Sequence, residues 1–310
     1  MPSSVAVVDI GSNTIKVLVA SRVFGGALQA LGIKTVDARI SAGISQREPQ
    51  LSEDGMQRGI EAINELLAFA ADYQPEAIVL VATSAVREAR NGSLFRRRVQ
   101  RATGHPIRLL SGDEEANLIG RGLTADPALA HLQDFYLFDL GGGSLEALAF
   151  RGRLVQQARS FPLGAVRLTE SFVTDPDVPL PPDTAIAIAR HVRTELAGSG
   201  FPFDLIGPAA VFAGGSMTTT RAILAARTGQ SLEASTPRVT IEELREILAR
   251  VGSLPLAQRR QEPGLPAARA DIFPTALVTM LAVAEVAGVT AFQHSFYNLR
   301  WGVAAEVLEG

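Results

Sequence analysis

Two stretches of this sequence carry the same pattern, and this repetition constrains the fold more than any other feature. The first reads VVDIGSNTIKVLVA at Val7–Ala20 and the second reads YLFDLGGGSLEALAF at Tyr136–Phe150. In register, Asp9 corresponds to Asp139, 130 positions later, and apolar residues match through both flanking runs. A period of this length is too long for a solenoid repeat and indicates two related domains. We therefore expect two α/β domains whose repeated turns oppose each other across a cleft.

Each repeat places a glycine-containing turn between two apolar, strand-like runs. Glycines have no Cβ, so backbone N–H groups in such a turn can approach an anion closely and point at it together. Neither turn continues into the Lys-Ser/Thr pair and helix of a Walker motif, so each is predicted to be a hairpin that binds phosphate. The predicted phosphate-binding residues of the two turns are Gly11, Ser12, Asn13, Thr14 and Lys16, and Gly141, Gly142, Gly143 and Ser144.

Acidic residues accompany both turns. Asp9 and Asp139 precede the glycines, and Glu146 follows the second turn. Carboxylates are typical ligands of Mg²⁺, so these three residues are candidate metal ligands. The alternative is that each aspartate only starts a turn by accepting backbone N–H groups. The matched placement of the aspartate in both copies favours the role of metal ligand.

Polar residues also follow a predicted strand between the two repeats. Ser84 and Arg87 come after the apolar run Ile78–Ala82, at the sheet edge where α/β proteins bind ligands. Both are candidate phosphate-binding residues, and the alternative for Arg87 is a surface salt bridge with a nearby acid. Further along, a strand-to-helix turn can present free N–H groups to an anion. Its candidate residues are Gly214, Gly215 and Ser216.

Two adjacent glutamates near a predicted helix start are the candidates for catalysis. Ser111 and Glu114 have the spacing of a capping box, in which each side chain satisfies a backbone N–H group of the other residue. Glu115 has no capping role and is the preferred candidate for a base. The sequence alone does not decide between Glu114 and Glu115.

Composition limits the partners and the compartment. The chain has 310 residues, 47% of them apolar, which is enough for two buried cores. Its net charge of −3 argues against nucleic acid and acidic membrane surfaces as partners. The absence of cysteine excludes disulfides, thiolate zinc sites and cysteine nucleophiles. The early first strand leaves no room for a signal peptide, and Glu285 and Gly288 interrupt the most apolar stretch, so we expect a cytoplasmic protein without a membrane span.

The predicted domains are residues 1–124, with the first turn, and 125–310, with the second. Apolar residues at helical spacing predict helices over Ser52–Tyr73 and Val239–Arg250. A closing helix near residues 297–310 is expected to pack back on the first domain.

Seven segments in succession resemble the motifs of the exopolyphosphatase/guanosine pentaphosphate phosphatase (Ppx/GppA) family. They read DIGSNTIKVLVA, ATSAVREARN, SGDEEANLIGRG, DLGGGSLEALAF, FPLGAVRLTE, GGSMTTTRAILA and RADIFPTALVTMLAV. The resemblance implies two RNase H-like domains of the actin/Hsp70/sugar-kinase (ASKHA) type, Mg²⁺ as cofactor and Glu115 as the base that orients water. A homodimer is common in the family. Three residues depart from its motifs: Lys16 replaces a frequent arginine, Leu145 a frequent threonine and Asn298 a frequent glycine.

The implied reaction is Mg²⁺-dependent hydrolysis of the terminal phosphoanhydride of inorganic polyphosphate. Guanosine pentaphosphate is the alternative substrate, because its terminal anhydride is the same. A kinase of the same fold and a non-catalytic phosphate or nucleotide sensor are further alternatives, although the Glu-Glu pair favours water as the acceptor. The dense basic cluster of an otherwise acidic chain is Arg96–Arg101, so short polyphosphates are the expected preference.

Overall fold

The computed structural model describes residues 2–23, 26–41, 48–204, 207 and 209–309. Within these ranges the strands are β1 (Ser4–Ile10), β2 (Thr14–Arg22), β3 (Leu28–Asp37), β4 (Ala77–Ala82), β5 (Ile107–Leu109), β6 (Phe135–Leu140), β7 (Leu145–Arg151), β8 (Leu154–Phe161), β9 (Ala210–Ala213), β10 (Arg238–Thr240) and β11 (Ala291–His294). The helices are α1 (Glu53–Ala71), α2 (Ser84–Glu88), α3 (Gly92–Thr103), α4 (Gly112–Thr124), α5 (Ala165–Phe172), α6 (Pro182–Ala197), α7 (Gly215–Arg227), α8 (Ile241–Gly252), α9 (Leu256–Arg259), α10 (Phe273–Ala287) and α11 (Leu299–Glu309). None of these helices combines the length and the apolar content needed to cross a bilayer.

The chain divides into two compact units. The first consists of Met1–Ala130 together with Tyr297–Gly310, and the second of His131–Phe296. In the first unit α11 packs against α4, β1 and β2, so the closing helix belongs to that unit by its contacts. The predicted boundary after residue 124 precedes a 3₁₀ turn, Pro127–Leu129, that also belongs to the first unit.

Each unit contains one mixed sheet, and the five strands of the first sheet have counterparts in the second, which has β10 as an additional edge strand. The strand order is β3-β2-β1-β4-β5 in the first and β10-β11-β9-β6-β7-β8 in the second. In both, a hairpin (β1–β2 or β6–β7) has a parallel neighbour on one side (β4 or β9) and an antiparallel strand on the other (β3 or β8). This equivalence confirms the duplication and the α/β class predicted from the sequence.

The central strands are buried on both faces, which explains why they read as continuous apolar runs. Every residue of β6 is buried, and β1 is buried from Val5 to Val8. In contrast, β3 is an edge strand, and its residues alternate between partly buried and exposed. Both turns are therefore carried by rigid, deeply packed strands.

One predicted helix begins later than its sequence pattern indicates. The sequence pattern predicts a helix over Val239–Arg250, and this start is wrong. Val239 lies in β10 and pairs with Phe292 of β11. Thr240 then caps α8, its hydroxyl accepting from the N–H group of Glu243. A short strand before a capped helix has the same apolar spacing as one longer helix, so the pattern did not separate them.

Candidate active site

The first turn, Gly11–Asn13, joins β1 to β2, and two of its carbonyl groups are bound by the protein. The carbonyl oxygen of Ser12 accepts from the N–H group of Ser41 at 3.2 Å and from its hydroxyl at 3.0 Å. The carbonyl oxygen of Asn13 accepts from the N–H group of Arg39 at 2.9 Å. Among the described residues, no acceptor is paired with the N–H groups of Ser12 and Asn13. The first turn therefore presents two backbone N–H donors to a ligand.

The side chain of Asn13 adds one more donor. It is 5% exposed, and its Nδ2 has no acceptor within the part of the chain that the structure describes. Leaving a buried donor unmatched costs about 1–3 kcal/mol, so such groups commonly mark a place where a ligand or water completes the hydrogen bond. The acceptor that Asn13 requires is the kind that a phosphate oxygen supplies.

The second turn, between β6 and β7, is arranged in the same way. Its three glycine carbonyls accept from the start of α5: Ala165 N–H to Gly141 O at 3.0 Å, Val166 N–H to Gly142 O at 2.9 Å, and Arg167 Nε–H to Gly143 O at 2.9 Å. A Cβ at Gly164 would lie 2.3 Å from Gly142 O, so a glycine is needed there for this approach. The N–H groups of Gly142 and Gly143 have no acceptor among the described residues.

The two turns thus share one electrostatic design. The protein behind each turn binds the carbonyl oxygens, and the successive N–H groups remain available to a ligand. Such concave rows of N–H groups bind anions. The phosphate-binding role predicted for both turns fits this geometry. Each hairpin is also closed alike: Gly11 N–H donates to Thr14 O at 3.2 Å, and Gly141 N–H to Ser144 O at 2.9 Å.

The acids at the two turns have different surroundings. Asp9 lies directly opposite Lys16 in the β1–β2 register. Burial raises the pKa of Asp9, and Lys16 and Arg300 offset only part of this effect. Two cations of the chain therefore lie near Asp9 and offset part of the cost of burying its charge, and the metal-binding role of Asp9 stays a prediction. The charge of Lys16 in turn interacts with Asp9, so it is partly compensated within the hairpin.

At the second turn the residue opposite the aspartate is another acid. Asp139 and Glu146 are partners in the β6–β7 register, so their side chains share one face, and they are 8% and 2% exposed. Ser160 Oγ donates to Glu146 Oε1 at 2.8 Å. Two buried carboxylates on one face fit a cation. The described residues contain no cluster of three or more acids or histidines placed to hold a metal ion. Mg²⁺ bound here would therefore keep water or phosphate oxygens as its other ligands.

The structure separates the two glutamates at the start of α4. The predicted capping box is confirmed: Ser111 Oγ accepts from Glu114 N–H, and the Glu114 carboxylate accepts from Ser111 N–H at 2.8 Å. This bond to Ser111 lowers the pKa of Glu114, with Arg108 adding to the effect. Glu115 is 5% exposed, and its Oε2 lies 3.1 Å from Arg87 Nη1. Glu114 is thus a capping residue, and Glu115 is a buried carboxylate held by a guanidinium.

Arg87 forms the ion pair that was one of its two predicted roles, but it does so below the surface. Its Nη1 donates to Leu110 O at 2.7 Å and to Glu115. Among the described residues its Nε and Nη2 have no acceptor, so one edge of the guanidinium remains for an anion. Ser84 is buried at the first residue of α2.

The third candidate turn lies beside Asp139. Gly214, the residue before α7, has a φ of 89°, and a Cβ there would lie 2.3 Å from Asp139 Oδ1. The guanidinium of Arg269 packs on Gly215, where a Cβ would meet its Nη2 at 2.2 Å. Sequence reasoning did not select Arg269 as a site residue. Its signal was an arginine that opens the motif RADIFPTALVTMLAV after a Pro/Arg-rich segment.

The sequence matches one known protein family over nearly its whole length. The family model described as Ppx/GppA phosphatase family matches residues 18–309 of the chain. The chain belongs to this family. The Ppx/GppA membership confirms the resemblance carried by the seven sequence segments.

Solved structures of the Ppx/GppA family have the same fold. An exopolyphosphatase from Cytophaga hutchinsonii superposes with a TM-score of 0.89 at 20% identity, covering 99% of this chain and 98% of that one. A Ppx/GppA family member from Aquifex aeolicus superposes with a TM-score of 0.79 at 23% identity, covering 100% and 99%. An uncharacterized protein of Streptomyces coelicolor is 29% identical over 98% of this chain and 90% of its own length. The predicted two-domain α/β fold is confirmed.

Two of the departures from the Ppx/GppA motifs lie in different surroundings. Leu145 is fully buried in β7, where a leucine packs without an unmatched hydroxyl. Asn298 precedes α11, and its carbonyl oxygen accepts from Trp301 N–H at 3.0 Å. Its side chain is 8% exposed, and Oδ1 has no donor among the described residues. Asn298 therefore brings a buried, unmatched acceptor to the start of the helix that carries Arg300.

Proposed function

We propose that this chain hydrolyses the terminal phosphoanhydride of inorganic polyphosphate. The supporting observation is that the protein binds carbonyl groups of both glycine turns, those of Ser12 and Asn13 in the first and of Gly141, Gly142 and Gly143 in the second, whereas successive N–H groups and Asn13 Nδ2 have no acceptor among the described residues. Polyphosphate is a chain of oxygen acceptors, so donors without acceptors match its hydrogen-bonding character. Membership of the Ppx/GppA family supports the same chemistry.

We assign to Glu115 the role of the base that orients the attacking water and accepts its proton. The water oxygen forms a bond to the terminal phosphorus, and the bridging P–O bond breaks, so the shortened chain leaves with the bonding electron pair. The proton of the water passes to the Glu115 carboxylate. We assign Glu114 no part in this step, because its carboxylate is engaged in the capping box. The ion pair with Arg87 fixes the direction of Glu115.

Charge on the transferred phosphoryl group needs donors and cations around it. In phosphoryl transfer, negative charge spreads over three equatorial oxygens, and catalysis consists mainly of positioning and electrostatic stabilisation. In the first unit we assign this task to the N–H groups of Ser12 and Asn13, to Asn13 Nδ2 and to the Nε and Nη2 edge of Arg87. Arg269, which lies against Gly215, is placed to assist the third turn.

Asp139 and Glu146 are the residues proposed to hold Mg²⁺. When bound, Mg²⁺ supplies positive charge to phosphate oxygens and neutralises the two carboxylates. Ser160 keeps the Glu146 carboxylate in place through its hydroxyl. We assign Asp9 a different role from the one its repetition indicated, namely to hold Lys16 and Arg300 beside the first turn.

Guanosine pentaphosphate is the second candidate substrate, and Asn298 is the observation that favours it. A buried acceptor without a donor is better matched by a ligand that carries N–H groups. The guanine base has such groups, whereas ionised polyphosphate has none. Asn298→Gly, which introduces the residue frequent in the family, should raise the KM for guanosine pentaphosphate and leave that for polyphosphate unchanged if the base contacts Oδ1.

The test is phosphate release from each substrate in the absence of any other acceptor. We expect release from polyphosphate at a higher kcat/KM than from guanosine pentaphosphate. Asn13→Asp replaces the unmatched donor by a charged acceptor of the same shape, and its KM for polyphosphate should rise about tenfold or more. Asn117→Asp, an exposed residue on α4 whose Nδ2 donates to Asp113 O, is the matched control. No release without an added acceptor would instead indicate a kinase or a sensor.

A further inference from the structure

A buried network of hydrogen bonds in the second unit begins at Arg221. This residue lies on α7 and is 3% exposed. Its donors reach Thr236 O at 3.1 Å, Leu232 O at 2.8 Å and Ser235 O at 2.7 Å. A further contact joins Nη1 to His294 Nδ1 at 2.9 Å. Ser235 Oγ, 3.0 Å from Nη2, is a fifth acceptor, and together the five hold the guanidinium in one orientation.

The network has a fixed direction, because arginine can only donate. Nδ1 of His294 must accept from Arg221, so the ring carries its proton on Nε2. Burial, together with the charge of Arg221, lowers the pKa of His294 to about 3, which keeps the ring neutral. Nε2 lies 3.2 Å from Thr218 Oγ1, and Thr218 Oγ1 donates to Gly214 O at 3.0 Å. The chain thus runs from Arg221 through His294 and Thr218 to Gly214.

The end of this chain is a peptide group of the candidate site. Because a trans peptide is planar, the direction of Gly214 C=O sets the opposite direction of Gly215 N–H. Gly214 adopts a φ of 89°, which is readily accessible to glycine. Its Cα packs on the Asp139 carboxylate, and the guanidinium of Arg269 packs on the next residue, Gly215. A small rotation of this peptide would therefore change the donor, the carboxylate and the arginine together.

We propose that Arg221, His294 and Thr218 are positioning residues that orient the Gly214–Gly215 peptide for phosphate. None of the three needs to touch the substrate. The inference rests on the proposed function, because it names what aligns one of the phosphate-binding turns. The competing explanation is that the network only stabilises the segment from Leu232 to Thr236.

Thr218→Val is the variant that separates these explanations. It removes the last hydroxyl of the chain, keeps the shape of the side chain and leaves the Arg221–His294 bond intact. Thr218→Ser restores the hydroxyl. Thr279→Val is the matched control, because the fully buried Thr279 on α10 makes the same hydroxyl bond to the carbonyl four residues earlier, at 2.9 Å, in another helix.

Calorimetric binding of inorganic phosphate and steady-state kinetics with polyphosphate give the readout. We expect Thr218→Val to bind phosphate about fivefold or more weakly, with a matching rise in KM, and Thr218→Ser to regain wild-type values. Thr279→Val should lose thermal stability only. Long-range ¹H–¹⁵N NMR of His294 at neutral pH should place the ring proton on Nε2, and a proton on Nδ1 would overturn the direction of the chain.

The outcomes also distinguish this inference from the proposed function. Phosphate binding without hydrolysis of either substrate would contradict the proposed function alone. Equal phosphate affinity and KM in Thr218→Val and the wild type would contradict the positioning role alone. No binding of phosphate by the wild-type protein would overturn both.

Discussion

His294 makes the stability of this protein depend on pH in a defined direction. Its pKa falls from 6.5 to about 3, first because the ring is buried and then because Arg221 lies beside it. The unfolded chain takes up a proton as the pH falls below 6.5, whereas the folded chain does not. The free energy of unfolding therefore falls as the pH is lowered from 6.5 to about 3. Above pH 6.5 the ring is neutral in both states, and the His294 ionisation costs no stability.

We predict that the wild type loses stability on acidification that His294→Asn does not lose. Asparagine keeps an acceptor for Arg221 but has no proton to gain. At pH 5 the difference amounts to about 2 kcal/mol, since each unit of pKa shift is worth ~1.4 kcal/mol. Urea unfolding of both proteins at pH 7 and pH 5 measures it. Equal losses would show that His294 titrates normally in the folded state.

Local patterns predicted some site residues and not others. The spacing of Ser111 and Glu114 predicted the cap, which left Glu115 for chemistry, and the structure bears out the cap. The contact of Arg269 with Gly215 joins residues far apart in the chain, so no local pattern contains it. The same holds for Arg300 beside Asp9, on which we base the role proposed for this aspartate.

At the scale of elements, the two hairpins differ in one position. The residue opposite the aspartate is Lys16 in the first and Glu146 in the second. The first hairpin therefore places a carboxylate opposite an ammonium group, whereas the second places two carboxylates opposite each other. This asymmetry places the predicted need for a divalent cation on the second hairpin.

We predict that activity vanishes in excess chelator and that Glu146→Gln raises the Mg²⁺ concentration for half-saturation about tenfold or more, since even indirect partners of a metal contribute 10–100-fold. Asp9→Asn should leave the Mg²⁺ dependence unchanged. Calorimetric Mg²⁺ binding to both variants provides a readout independent of turnover. A shift in Asp9→Asn with none in Glu146→Gln would reverse the assignment.

Elements buried on both faces were the ones that the sequence predicted best. The hairpin strands read as continuous apolar runs because helices or loops cover both sides of the sheet. Strand β10 has three residues and exists through its pairing with β11, so its local sequence resembled the start of α8. Short strands of this kind are set by tertiary contacts and not by periodicity.

At the scale of the whole molecule, charge limits how a long polyanion can be retained. The net charge is −3, and within the basic cluster on α3, Arg98 is paired with Glu53. Retention of a polyanion depends on many simultaneous basic contacts, each weakened by salt. A chain with this distribution should release long polyphosphate after few cuts.

We predict a distributive enzyme that prefers short polyphosphates. Gel electrophoresis during digestion of long polyphosphate should show a descending ladder of intermediates, which should form more slowly as salt increases. Disappearance of full-length chains directly to phosphate, without a ladder, would show that the protein retains its substrate between cuts.

Glu115, and not Glu114, is the residue that we propose acts on the water that cleaves the terminal anhydride. The most direct measurement is kcat for polyphosphate hydrolysis by Glu115→Gln and Glu114→Gln, with thermal unfolding of both as a control. Glutamine keeps an acceptor for Arg87 but cannot accept the proton, so kcat of Glu115→Gln should fall by about 10²–10⁴ while that of Glu114→Gln stays near wild type. A normal kcat in a destabilised Glu115→Gln would reduce the Arg87–Glu115 pair to a structural ion pair, and a reversed result would make Glu114 the base.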